Sequence, residues 1–236
     1  MRRGVEFNPQ RWGCVGVMLL ALLGLGVSRA HAELTLYKTY GFYCITDNNP
    51  TNADIGEAQL FVEVLNGSDI NEVQFNFRNV GSNPCTITDV YFDDGTLLDL
   101  AGLIDNDDSY NGRIGHPGVD FTIGADPANL PGGSLINPPF QVSLGFSADS
   151  DPPPPSSGVE PPDEWLGVVF LLDGGGNGDV YDVLDELDIG ILRIGIHVQS
   201  FNGVDGDSES FVNVPEPASM LLLGLGGLAL RRKRRS

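Results

Sequence analysis

Positive charge is almost missing from the long middle of this chain. Between residues 33 and 213 the only basic residues are Lys38, Arg78, Arg113 and Arg193, four against 30 acidic residues, a net charge of −26. A segment this acidic repels phosphate, which excludes nucleic acid as a partner. Histidine is scarce as well, with three in the whole chain. His116 falls in a Gly/Pro loop and His197 on the polar side of an expected strand; both read as surface positions, and a histidine-based zinc site is not expected. GxSxG, HExxH, the P-loop and CxxC are all lacking. The run Gly174-Gly175-Gly176-Asn177-Gly178 lacks dinucleotide-loop spacing and reads as a turn. No uncharged apolar stretch approaches the ~20 residues that span a bilayer. The two main ones, 15–27 and 218–230, have 13 residues each.

What is present is concentrated first at the two ends. Arg2, Arg3 and Arg11 precede the apolar run 15–27, and Ala30-His31-Ala32 follows with the small-x-small pattern read by a signal peptidase. Residues 1–32 are therefore expected to be a signal peptide, cleaved after Ala32. Cys14 lies before the apolar core rather than after it, which argues against lipidation. At the other end, Pro215, Glu216 and Pro217 form a strip that cannot continue a helix, because proline lacks the N–H and biases its predecessor toward extended backbone. The uncharged segment 218–230 and the basic cluster Arg231, Arg232, Lys233, Arg234 and Arg235 complete a short membrane anchor. Its cations stay cytoplasmic, and their long side chains snorkel to extend the span.

The order Val214-Pro215-Glu216-Pro217-Ala218-Ser219, then Leu/Gly, then Arg/Lys, resembles the PEP-CTERM sorting class of Gram-negative exported proteins. The resemblance covers about a tenth of the chain. It implies processing by a membrane-embedded, cysteine-dependent exosortase-like enzyme, and association with exopolysaccharide and biofilm matrix. An anchor that is never cleaved is the alternative, favoured by the shortness of the apolar run. Ile194 to Phe201, Ser208 to Phe211 and Tyr91 to Gly95 together resemble an exported domain found ahead of such tails, a likeness that brings no activity with it.

Residues 33–213 are expected to form one domain, followed by the sorting and anchor segment 214–236. Period-two alternation marks strands near 57–65, 73–77 and 189–199; strands are also read at the aromatic-rich 34–44, at 86–92 and 96–100 across the Asp94-Gly95 turn signal, at the nearly continuously apolar 166–172 and at 208–212, with short ones near 119–123 and 140–146. Thr46 to Asp54 reads as a polar loop, and 148–164 as a proline-rich solvated loop. Val180, Val183, Leu184 and Leu187 at helical spacing, with Asp179 placed to cap, predict one short amphipathic helix. The expected fold is all-β: an antiparallel β-sandwich, jelly-roll-like or Ig-like, between a signal helix and a transmembrane helix.

Cys44 and Cys85 lie in an oxidising compartment, so a disulfide is expected. Closing its loop of about 40 residues would stabilise the fold by ~3–4 kcal/mol. Three oxygen-rich clusters are candidates for calcium: Asp105 with Asp107 and Asp108; Asp205 with Asp207 and Glu209; and Asp173 with Asn177 and Asp179. None matches the EF-hand loop. Trp165, Tyr91 and Tyr110 are the candidate aromatic platform for a glycan. The expectation is a non-catalytic structural or adhesive protein of the cell surface or exopolysaccharide matrix, without catalytic residues. A calcium-assisted carbohydrate-binding module is the first alternative, and a secreted glycan-active enzyme using a carboxylate pair the second. The implied partners are signal peptidase, the exosortase-like enzyme and exopolysaccharide.

Overall fold

Alternation of large apolar residues decides most of the strands. The computed structural model describes residues 34–214, apart from 70, 94, 144–145, 153–155, 173–177 and 204–206. In chain order the elements are β1 (Leu36–Cys44), α1 (Pro50–Gln59), β2 (Leu60–Asn66), β3 (Glu72–Asn79), β4 (Thr86–Asp93) and β5 (Leu97–Ile104). After these come β6 (Ser109–Tyr110), β7 (Arg113–Ile114), β8 (Phe121–Ile123), β9 (Ser147–Ser150), β10 (Trp165–Leu172), α2 (Val180–Ile189), β11 (Arg193–Gln199) and β12 (Ser208–Asn213).

Ten of these strands form one antiparallel sheet in the order β5-β10-β3-β2-β1-β12-β11-β4-β9-β8, and β6 and β7 form a separate hairpin. The expectation of an antiparallel all-β fold holds, but its division into two sheets is corrected. β1 and β12 pair in the middle, with Phe42 opposite Asn213 and Cys44 opposite Phe211, so the two halves of the expected sandwich are hydrogen-bonded into one surface. That surface curls around the main core, to which seven strands contribute Tyr40, Val62, Phe75, Phe92, Phe170, Ile196 and Phe211. At its centre the Phe92 and Phe170 rings lie 4.7 Å apart, with Phe75 and Phe146 edge-on to Phe170 at 5.9 and 5.2 Å. Edge-to-face pairs of this kind add about 0.5–1.5 kcal/mol each beyond the area they bury.

The two outer strands are drawn together just past β5. Asp105, fully buried, accepts the Phe121 N–H of β8 on Oδ2 at 2.9 Å, while the Asn106 N–H donates to Val119 O at 2.7 Å. Gly115 donates to Asp105 O at 2.6 Å, an approach only glycine allows, because a Cβ there would lie 2.2 Å from Asp105 Cα. The sheet is thus nearly closed.

The glycine- and proline-rich middle of the chain is packed rather than solvated. Leu130, Phe140 and Ala125 rest on Tyr91 and Val212, a second, smaller core on the other side of the sheet. Gly195 makes room for it, since a Cβ there would meet Leu130 at 2.7 Å. Arg193 fastens this loop by donating to Pro138 O at 2.7 Å and Pro139 O at 2.8 Å while paired with Asp93. None of the described residues within 140–146 is in a strand, whereas 148–164, expected to be loop, contains part of β9 and a bridge from Val159 to Ile87.

The single expected helix is α2, and α1 is a second one where a loop was read. Among the described residues no helix is long and apolar enough to cross a membrane. The expected signal helix and anchor lie outside the described residues. The expected disulfide is also corrected, for both cysteines are free thiols. Cys85 is buried where Gln59 Nε2 and Asn79 Nδ2 donate to its sulfur at 3.1 and 3.6 Å, and burial pushes its pKa up to about 11. Cys44 instead turns to Glu209, with its Sγ 3.5 Å from Oε2. Each sulfur has its own polar partners.

Candidate functional site

Tyr37 and Tyr181, distant in sequence, meet at one end of the sheet. β1 carries a bulge between Leu36 and Lys38: Leu36 pairs with Leu65 but Lys38 with Val64, so Tyr37 is the extra residue. A bulge re-aims its side chain, and Tyr37 stays 37% exposed while Tyr40, three residues on, is buried. Tyr181 is placed by the start of α2. Asp179 caps the helix by accepting from the Tyr181 and Asp182 N–H groups at 2.8 and 3.2 Å, and the Asp182 carboxylate accepts from the Asp179 N–H in return, completing a capping box. The buried stripe of α2, Val180, Val183 and Leu187, leaves Tyr181 62% exposed. The two rings stand 5.5 Å apart at 86°.

Beside them opens a cleft of about 350 Å³. Its polar lining comes from Asn66, at the end of β2, Ser68 and Asp69, in the following turn, Glu72, at the start of β3, and Asp179. Glu72 is buried. Its Oε1 accepts from the Tyr110 hydroxyl at 2.5 Å and its Oε2 from the Asp69 N–H at 3.1 Å. Burial first, and Glu72 second, push the Tyr110 pKa up to about 12, so the phenol remains a donor. The cleft combines aromatic faces with hydrogen-bonding carboxylates and an amide, the chemistry that sugars use: CH-rich faces stack and hydroxyls bond.

The platform residues expected from sequence are elsewhere. Tyr91 is fully buried, its hydroxyl donating to Pro127 O at 3.0 Å, and so presents no face to a ligand. Tyr110 is engaged beneath the cleft by Glu72, and Trp165 is half-buried, its ring 3.1 Å from where a Cβ on Gly167 would stand. The aromatic character of Tyr37 was visible in sequence; its pairing with Tyr181 rests on a bulge and a tertiary contact.

Asp105, Asp107 and Asp108 do come together, offering one carboxylate oxygen each within 4.8 Å of one another. Asp105 already accepts from the Asp108 and Phe121 N–H groups at 2.8 and 2.9 Å. Burial raises its pKa above the usual aspartate range, those backbone bonds lower it, and Asp108 and Asp107 raise it further. The second cluster is described only in part, and its described members, Asp207 and Glu209, lie at one pocket. Asp205 lies outside the described residues, as do Asp173 and Asn177. Glu209 is buried and accepts from the Asn48 and Asn49 N–H groups at 3.0 and 2.7 Å and from the Thr46 hydroxyl, which fastens β12 to the start of α1. Asp207 and Glu209 both line a polar pocket of about 420 Å³, together with Asn48, Asn49 and Asn52.

His116 lies 3.8 Å from Glu164. His197 is half-buried rather than on the surface, with Nδ1 3.1 Å from Ser210 Oγ, and burial lowers its pKa.

β12 ends at the residue where the tail begins in sequence. Asn213, its last residue, is buried and accepts the Ile194 N–H at 2.8 Å, and the Val214 N–H donates to Gly41 O at 3.0 Å. From Asn213 onward the chain matches a known family. Residues 213–235 are a PEP-CTERM protein-sorting motif. The motif marks an exported protein that an exosortase-like enzyme processes at a C-terminal anchor. Pro215, Glu216, Pro217 and the basic cluster 231–235 fall within this match and outside the described residues. No curated protein and no solved structure matches the chain.

Proposed function

We propose that the sorted domain is a non-catalytic adhesive element of the cell surface or exopolysaccharide matrix of a Gram-negative bacterium, and that it holds glycan in the cleft between Tyr37 and Tyr181. The observation that carries this reading is the exposed, perpendicular tyrosine pair beside Asn66, Asp69 and Asp179. Two of the three cleft carboxylates serve the fold, Glu72 as acceptor for Tyr110 and Asp69 N–H, Asp179 as the cap of α2, which favours holding over turnover. The test is binding of the full chain, in detergent, to the host's own exopolysaccharide, with polymer length followed in parallel. Saturable binding without shortening, weakened at least about fivefold by Tyr181→Ala, is expected. Hydrolysis abolished by replacing two carboxylates would make the chain a glycan-active enzyme instead.

A second reading, calcium-assisted binding, is favoured by Asp105, Asp107 and Asp108, whose oxygens converge where the two outer strands meet. A cation there would be held by the side chains of Asp107 and Asp108 and the remaining lone pairs of Asp105, and would offset their mutual repulsion. Calcium at 100 times its Kd should then stabilise the fold by about 2.7 kcal/mol. A melting temperature that calcium raises in the wild type but not in Asp107→Asn/Asp108→Asn is the expected result. Identical melting with calcium and with chelator would end this reading.

A further inference from the structure

The cleft also says which glycan. We propose that its ligand is an amino-sugar polymer carrying free ammonium groups, an inference that rests on the glycan-holding reading above.

Charge is the first argument. The described lining of the cleft holds three carboxylates, Asp69, Glu72 and Asp179, and no basic side chain. The four cations between residues 33 and 213 are engaged elsewhere or behind it. Lys38 pairs with Asp188, Arg78 lies 3.8 Å from Glu63 and Arg193 pairs with Asp93. Arg113 sits in the field of Glu72 and Tyr110, and none of its guanidinium nitrogens is exposed to solvent. Glu72 is thereby partly compensated, and Asp179 sits at the favourable end of a helix. Asp69 is exposed, with none of the described donors on its carboxylate. A uronate, sulfate or phosphate sugar entering here would meet like charge, which costs binding energy, whereas an ammonium would meet opposite charge.

Aromatic geometry is the second argument and is independent of the first. A cation is attracted to the face of an aromatic ring when it lies within about 6 Å of the centroid. Two tyrosines 5.5 Å apart and set at 86° form two walls of a corner, so one ammonium near it is within reach of both rings. A perpendicular pair offers a neutral sugar one ring face at a time to stack on, whereas an ammonium in the corner is reached by both rings. Aromatic walls with a carboxylate beside them are suited to a positively charged nitrogen, and the sugar hydroxyls on either side find Asn66 and Ser68.

The decisive comparison is between a fully deacetylated glucosamine hexamer and the N-acetylglucosamine hexamer of the same length. Both are titrated into the full chain in detergent at pH 6 and 0.15 M salt, where surface charges are largely screened beyond ~8 Å. The deacetylated hexamer should bind at least tenfold more tightly. Tyr181→Ala and Asp69→Asn, both at exposed positions where folding is not at stake, should each weaken it by about fivefold. Equal affinity for the two hexamers would overturn the ammonium inference and leave the glycan-holding reading standing. Failure of both to bind would remove both readings. Deacetylated binding unchanged in both variants would assign the attraction to the acidity of the chain as a whole and overturn the assignment to this cleft.

Discussion

Asp89 and Asp149 stand opposite each other across β4 and β9. Asp89 is 2% exposed and accepts from the Thr88 hydroxyl at 2.9 Å. Burial pushes its pKa up to about 7, the Thr88 bond pulls it down, and Asp149 raises it again; the Asp149 carboxyl is itself raised, by burial first. In the unfolded chain Asp89 would titrate near 3.8. Between about pH 4 and 7 the folded state therefore holds a proton that the unfolded state has released, and stability falls as pH rises through that window. Asp89→Asn supplies the neutral form permanently. It should stabilise the fold at pH 8 by roughly 1–2 kcal/mol and leave it nearly unchanged at pH 4, as read from thermal melts at the two pH values. An equal change at both would separate the effect from the carboxyl pair. Nothing in the sequence distinguishes Asp89 from its many acidic neighbours. Its burial follows from a register that places it against β9, and register is a property of pairing rather than of local sequence. Cys85 shows the same limit: its compartment was legible, whereas the amides of Gln59 and Asn79 that surround its sulfur were not.

At the scale of elements, α2 was legible and α1 was not, for a physical reason. α2 has a cap, a capping box and a buried stripe at helical spacing. α1 offers no apolar stripe, and its buried positions include Asn52, Gly56 and Gln59. Its signals were of another kind: Asn49 as N-cap, accepting from the Thr51 N–H at 3.0 Å, and Pro50 at the first helical position. Gly56 lets α1 approach the sheet, since a Cβ there would fall 2.2 Å from the Phe211 ring. Gly56→Ala gains about 1 kcal/mol in helix propensity, yet it must displace a ring packed in the core, a cost of about 1–3 kcal/mol. Net destabilisation of up to about 2 kcal/mol in urea titration is expected. Asp54→Ala, on the exposed side of the same helix, should be neutral or slightly stabilising.

At the scale of the molecule, most strands and the sorting tail were readable, while the closure of the sheet was not. Val62, Val64, Phe75 and Phe77 alternate as clearly in the sequence as they pack in the structure. What turned the expected sandwich into one curled sheet is the pairing of the first strand with the last, and the contact of Asp105 with Phe121, both between residues remote or unremarkable in sequence. The sorting tail was legible because its function is local: a strip, an apolar run and a basic end. Its prediction concerns the whole chain. In a host that has the sorting enzyme, intact mass should reveal a species lacking everything after about Pro217, and deleting the enzyme should leave only the full-length form. Full-length, membrane-held protein in both strains would favour an anchor that is kept.

The position of β12 matters to the tail in another way. Traction on the anchored tail, before it is cut, enters the domain at Val214 and runs along a strand held by β1 on one side and β11 on the other. Antiparallel hydrogen bonds lie across that direction, so they share the load and must yield together instead of opening one at a time from an edge. The domain is thus tethered through an interior strand whose hydrogen bonds are loaded in shear, which would serve the adhesive role proposed above.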